Sequence, residues 1–215
     1  KKARWACYGS PRSGQAKILD ETYANCVDQT SSRLFYAAAA AENIIYGADV
    51  SNAFGEAPAP NQGFYIRPDK AFHEWWKSKG RNPIPPGHVI PVLAAMQGHP
   101  EAPRLWEKHA DVILRECGLK PTTHEPCLYS GLIEGERVLF KRQVDDFACA
   151  APDQRTADIL LDMIDDRLSI PIKRQGPVTL FNGFDVDQTK YYTLSRNDPP
   201  NCLAGTDSFP YSKNE

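Results

Sequence analysis

Arg137-Val138-Leu139-Phe140-Lys141-Arg142-Gln143, then Val144-Asp145-Asp146-Phe147, then Ala148-Cys149-Ala150-Ala151: these fifteen residues decide the fold. The first seven read as a strand, the last five, from Phe147, as an apolar strand, and two adjacent aspartates stand at the tip between them. On its own the dipeptide reads as a solvated turn, because turns welcome Asp. Outward toward the N-terminus, residues 128–133 read as a further strand, joined to 137–143 by a turn at Glu134-Gly135-Glu136. Outward toward the C-terminus, Ala157, Leu160, Leu161, Ile164 and Leu168 recur at helical spacing, with Asp153 near the helix start.

A second acidic residue changes the reading of the tip. Residues 44–50 form a short apolar strand, interrupted by Gly47, and Asp49 lies at its end. If that strand neighbours the 137–151 hairpin, three carboxylates converge at one sheet edge. Such a cluster is costly unless a cation neutralises it. Hard oxygen ligands select Mg²⁺, with Mn²⁺ as a substitute, and two such ions serve phosphoryl or nucleotidyl transfer.

The rest of the chain fits around these strands. Thr30-Ser31-Ser32 offers N-cap hydroxyls to a helix over residues 34–43. Residues 63–67 read as a short strand, 69–79 as a short helix carrying Trp75 and Trp76, and 89–96 as a buried strand despite Pro91. Ala102, Leu105, Trp106, His109, Val112, Ile113 and Cys117 mark one helical face that ends at Gly118. Residues 178–186 and 191–194 read as a hairpin around Asp187-Gln188, and the last twenty residues as a frayed or truncated edge. The order implies an α+β layout, with helices on one face of a largely antiparallel sheet.

Bulk properties allow this layout. The 215 residues are 41% hydrophobic and 24% charged, enough for a packed core and too balanced for disorder. No apolar run is long enough for a membrane span, and no signal-peptide pattern opens the chain. The net charge of −2 is not the footprint of a nucleic-acid enzyme, although Lys1, Lys2, Arg4, Arg12 and Lys17 all precede the first acidic residue, Asp20. That opening is a phosphate-facing segment or an ordinary solvated basic face. The six cysteines form no C-x-x-C pair and read as reduced thiols. Cys117, His124 and Cys127 have ligand-like spacing but lack a second pair to complete a zinc tetrahedron.

Seven ordered segments carry a resemblance. They are Lys2-Ala3-Arg4, Asp20-Glu21-Thr22-Tyr23-Ala24, Asp49-Val50-Ser51-Asn52-Ala53-Phe54, Ala102-Pro103-Arg104-Leu105-Trp106, Pro126-Cys127-Leu128-Tyr129, Val144-Asp145-Asp146, and Leu180-Phe181-Asn182-Gly183-Phe184-Asp185. In these the chain resembles the reverse transcriptases of copia-type LTR retrotransposons, over about residues 2 to 195. The resemblance implies a right-hand polymerase palm with partial fingers and most of the thumb absent. Fingers would comprise 1–20 and 57–96, palm 21–56 and 97–190, and 191–215 the start of a thumb or a frayed end.

It also implies roles. Asp49, Asp145 and Asp146 would be the catalytic carboxylates and, with the Val50 carbonyl, the ligands of two Mg²⁺ ions. Arg4, Lys2, Val50, Ser51, Phe54, Gln97 and Gly98 would bind the dNTP, with Phe54 as steric gate against a ribose 2′-hydroxyl; without the resemblance Phe54 reads as a core aromatic. Gln143, Val144 and Gly183 would touch the primer, and Gln143 stands where most members carry Tyr. The partners implied are an RNA template, a DNA primer and their RNA–DNA hybrid, dNTPs, and the thumb, RNase H and integrase of one polyprotein, without a membrane. The location implied is a cytoplasmic virus-like particle with a nuclear stage. The alternatives are another palm-type nucleotidyl transferase, a decayed or domesticated copy acting only as a nucleic-acid-binding or interaction module, and a plain globular α+β domain whose Asp pair is a turn.

Overall fold

The computed structural model describes residues 6–7, 22–40, 43–61, 63–188 and 192–196, the last five by their backbone alone. The chain divides into two compact units, Lys1–Tyr23 with Phe54–Trp106, and Ala24–Ala53 with Glu107–Glu215. In chain order the elements are α1 (Gln29–Ala39), β1 (Ile44–Asp49), α2 (Ala53–Glu56), β2 (Tyr65–Ile66), α3 (Lys70–Ser78), β3 (Ile90–Pro91), α4 (Ala102–Glu116) and β4 (Lys120–Pro121). There follow β5 (Leu128–Ile133), β6 (Glu136–Gln143), β7 (Asp146–Ala151), α5 (Gln154–Asp165), β8 (Lys173–Pro177), β9 (Leu180–Phe181), β10 (Phe184–Gln188) and β11 (Tyr192–Arg196). No helix among the described residues is long and apolar enough to cross a membrane.

The second unit is α+β. Its six-stranded sheet has the order β4-β5-β6-β7-β1-β8, and every neighbouring pair is antiparallel. Two tight turns set the register of its central hairpins. Glu134 and Gly135 both take positive φ, 49° and 89°, as a two-residue connection of the mirror-image type requires. The β6–β7 connection is equally short, because Gln143 pairs with Asp146.

Because side chains alternate, the register sorts the sheet into two faces. One face carries Leu128, Leu139, Lys141, Ile45, Ala148 and Ala150. It packs under Phe35, Tyr36 and Ala39 of α1 and under Val178, Phe181 and Val186 of the β8–β10 segment. The opposite face carries Tyr129, Phe140, Arg142, Phe147, Cys149 and Tyr46. There Asp111 and Glu107 of α4 bind Tyr129 and Arg142, and α5 lies over β7 and β1. The buried stripe of α5, Ala157, Leu160, Leu161 and Ile164, is the one its spacing predicts. Each large member contributes about 1.5–3 kcal/mol by burial.

Helices therefore cover both faces, not one. The expectation of a single covered face fails because α1 folds back over β6. There Lys141 and the small Ala148 and Ala150 leave room for the rings of Phe35 and Tyr36. Other local expectations also shift. The α1 cap is Asp28, whose carboxylate accepts from the backbone of Thr30 and Ser31. Gly47 does not interrupt β1: a Cβ there would lie 2.8 Å from the Gln175 side chain, so glycine admits the bulged β8. The hairpin expected from 178–186 and 191–194 forms in part: β10 pairs antiparallel with β11 from Phe184↔Arg196 to Gln188↔Tyr192, so Asp187 and Gln188 lie in the strand rather than in the turn. The first arm is not continuous, because a turn at Asn182-Gly183, φ 49° and 78°, separates β9 from β10.

In the first unit β2 pairs with β3 over two residues only. The buried strand expected at 89–96 is not there: Val89 is 43% and Leu93 83% exposed. Pro91, lacking an N–H, cannot extend the ladder. Gly98, φ 84°, sits against Cys7, whose N–H donates to the Gln97 carbonyl at 2.7 Å. A Cβ at 98 would fall 2.1 Å from the Cys7 carbonyl oxygen, so only glycine fits.

A carboxylate row at one end of the six-stranded sheet

The hairpin tip and the end of β1 meet. Asp49 is the direct cross-strand partner of Asp146, a pairing that puts both carboxylates on the α1-covered face. Directly opposed residues hold their Cβ atoms about 4.5–5.5 Å apart. Asp145 is fixed by its backbone, because its carbonyl accepts from the Val50 N–H at 2.9 Å. Val50 is fully buried and anchors that contact. The carboxylates act on one another: burial first, then Asp145 and Asp49, raise the Asp146 carboxyl above its ordinary range.

The row is longer than three acids. Gln143 pairs with Asp146 from β6, and Lys173 pairs with Asp49 from β8. Across four strands the order is Gln143, Asp146, Asp49, Lys173, all on one face. The Lys173 ammonium lies 3.4 Å from the Asp49 carboxylate. At the other end the Gln143 Oε1 is buried without a hydrogen-bond partner. A buried acceptor left unsatisfied costs about 1–3 kcal/mol. A cavity of about 400 Å³ opens beside Asp146, lined by Gln175, Phe181, Asn182 and Gly183 among others.

Val144 pays for the tight tip with its backbone, φ 56°, a region that β-branched residues avoid. Its strain sets the direction in which Asp145 and Asp146 leave the turn.

The donor set suits a divalent cation in its chemistry: hard carboxylate oxygens, one of them held above its usual pKa by burial and then by its acidic neighbours. As the side chains stand, no group of three His, Cys, Asp or Glu among the described residues is in position to hold a metal ion. Asp49 has Lys173 as its counter-ion instead.

The remaining sequence-predicted residues are placed as follows. Gly183 lines the cavity that Asp146 lines. Ser51 lies in the turn after β1, half-buried. Phe54, half-buried in α2, and the exposed Gln97 and Gly98 belong to the first unit. Lys2 and Arg4 lie outside the described residues. Cys127 is no ligand in this arrangement. It is fully buried between the Asn25 carbonyl and the Arg142 guanidinium, each 3.4 Å from its sulfur, and burial pushes its thiol up to about 12.

Sequence reading missed Lys173 because the Lys173–Pro177 stretch is polar and holds both Gly and Pro, with no alternation to mark a strand. The visible signal was charge alone, a Lys-Arg pair after the α5 helix. Compared with protein-family models and with curated proteins, the chain matches none.

Proposed function

We propose that this chain carries the nucleotidyl-transfer centre of an RNA-directed DNA polymerase of the copia-type retrotransposon kind. Its six-stranded sheet would be the floor of a polymerase palm. The observation that carries the reading is the cross-strand pairing of Asp49 with Asp146, with Asp145 tied to Val50 beside it. Carboxylates crowded on one sheet end, against their own electrostatics, make sense where divalent cations are to be held between them and substrate phosphates.

In this reading Asp49, Asp145 and the Val50 carbonyl would hold Mg²⁺, or Mn²⁺ in its place, with Asp146 in support. When bound, two such ions supply charge neutralisation and acidify a coordinated hydroxyl. The residues of the chain do the rest. The reaction joins a primer 3′-hydroxyl to the α-phosphate of a dNTP and releases pyrophosphate. Lys173, turning from Asp49, offers an ammonium to a polyphosphate. The orphaned Gln143 Oε1 accepts a hydrogen bond from a hydroxyl or amino group brought to Asp146. The cavity beside Asp146, with Gly183 in its wall, gives a primer terminus room. Template, primer and hybrid would be held by backbone and shape contacts. The other domains of a polyprotein, a virus-like particle and a nuclear stage belong to the same proposal.

A nucleic-acid-binding relic is the second reading, and the Asp49–Lys173 ion pair favours it, since a neutralised aspartate has less call on a cation. Titration with Mn²⁺ and dNTP, followed by primer extension on RNA and DNA templates, separates the two. The polymerase reading expects metal-dependent nucleotide binding, lost in Asp145→Asn. Binding of nucleic acid with no metal-dependent response to dNTP would leave only the relic.

A further inference from the structure

Helix α3 in the first unit has no buried residue, yet it is amphipathic and aromatic. Phe72 stacks on Trp76 at 5.5 Å and tilts against Trp75 at 5.3 Å. Trp75 remains 47% exposed. The ring of Trp76 is held over its plane and at its edge. The Arg81 guanidinium lies 4.4 Å over its centroid, and its indole N–H donates to the Asn82 carbonyl at 2.8 Å. The cluster is thus a preformed platform of flat faces rather than a patch of loose apolar chains.

Charge says what the platform faces. Between residues 67 and 81 stand Arg67, Lys70, Lys77, Lys79 and Arg81, all exposed, against two carboxylates. Of those two, Asp69 is spent capping the helix and Glu74 lies 3.9 Å from Lys70. The whole chain is net negative, whereas this stretch is net positive. An apolar protein partner would not call for its cations. A polyanion with planar rings fits both features: bases stack on exposed aromatic faces while lysines and arginines meet the phosphates.

We propose that α3 and the Lys79–Asn82 turn form a binding surface for single-stranded nucleic acid, with Trp75 as the stacking platform and Lys77 and Lys79 as phosphate contacts. The surface is independent of the carboxylate row and needs no metal ion. None of the seven segments that carry the family resemblance includes it.

The test is titration of the chain with fluorescein-labelled oligo-dT and oligo-rU in EDTA, over a range of salt. The chelator removes any contribution from cations at Asp49, Asp145 and Asp146, so failure here and failure of the polymerase reading are separate results. Trp75→Ala is expected to weaken binding about ten-fold, and its exposure means that the fold survives. Lys77→Gln with Lys79→Gln is expected to flatten the slope of log affinity against log salt by about 1.4, two contacts on a single strand. Affinity unchanged in both variants overturns the proposal. So does concentration-dependent self-association that is insensitive to salt and abolished by Trp75→Ala, which would make the platform a protein contact.

Discussion

Replacing Lys141 with methionine removes a cation from the interior of the second unit. Lys141 is 1% exposed, its ammonium 4.0 Å from the Tyr36 ring centroid, 4.3 Å from Phe181 and 5.0 Å from Phe35, and it donates to the Ser32 hydroxyl at 3.0 Å. Desolvation lowers its pKa from 10.5 to about 7, although the rings and the hydroxyl favour the charged form. The folded state therefore binds fewer protons than the unfolded chain between those values. Stability is independent of this group below pH 7, rises as pH climbs through 7, and levels off above 10.5. The gain between pH 7 and 8.5 is on the order of 1–2 kcal/mol.

Other groups act below this window or cancel between the two proteins. His99 has a lowered pKa, so its contribution rises through and below 6.5 and is nearly complete by pH 7. Burial raises the Cys7, Cys117, Cys127 and Cys149 thiols above their ordinary 9.0, so stability falls as pH approaches and passes that value, equally in wild type and variant. Urea unfolding of the wild type and of Lys141→Met at pH 7, 7.5, 8 and 8.5 reads the slope directly. The methionine variant should be about 1–4 kcal/mol more stable at pH 7 and should lose the rise. Parallel profiles for the two proteins would refute the assignment of a depressed lysine.

Three further outcomes follow from the same contacts. Glu107→Ala should cost about 3–5 kcal/mol, because it strands the Arg142 guanidinium, 2% exposed and 3.6 Å from that carboxylate; chemical denaturation measures it, and Glu107→Leu with Arg142→Met should recover most of the loss. Gly98→Ala should cost more than ~1 kcal/mol and release the Cys7 segment, seen as faster proteolysis of the N-terminal region, because φ 84° and the Cys7 carbonyl both exclude a Cβ. Asp146→Asn should raise thermal stability in chelator at pH 7. Its raised carboxyl pKa means that stability falls as pH climbs above 3.8, and the amide removes that fall. Mn²⁺ should raise the melting temperature of the wild type more than that of this variant, and equal shifts would count against a cation at Asp146.

The elements legible in the sequence are those whose signals are local and redundant. α5 has a capping Asp153 and a four-residue buried stripe, and the β5–β6 hairpin has Glu134-Gly135 at its tip. The shortness of β3 is also written locally, in Pro91. Tertiary contact set the detail of α4: Ala102, Trp106, Ile113 and Cys117 are buried as their spacing predicts, but nothing around Val112 says that it is exposed while Ala110 and Leu114 are buried. The Asn182-Gly183 turn was open to reading, since Asn-Gly is a strong hairpin signal. The apolar residues on both sides of it read as one continuous strand and mask it.

The carboxylate row divides along the same line. From sequence Asp49 and the Asp145–Asp146 tip converge only if their strands are neighbours, since each lies at the end of an apolar stretch; the pairing of β1 with β7 meets that condition. Their counter-ion could not be placed from sequence, because Lys173 comes opposite Asp49 through the register shift of β8 at Gln175, which no alternation within Lys173–Pro177 announces. Beside the shift, a Cβ on Gly47 would meet the end of the Gln175 side chain at 2.8 Å and Val178 at 3.0 Å, so the missing side chain lets both lie close against β1. Without the shift Arg174 would stand opposite Asp49 in place of Lys173. Either register of β8 therefore sets a cation against the carboxylate row, and the Lys-Arg pair, not the bulge, secures its neutralisation.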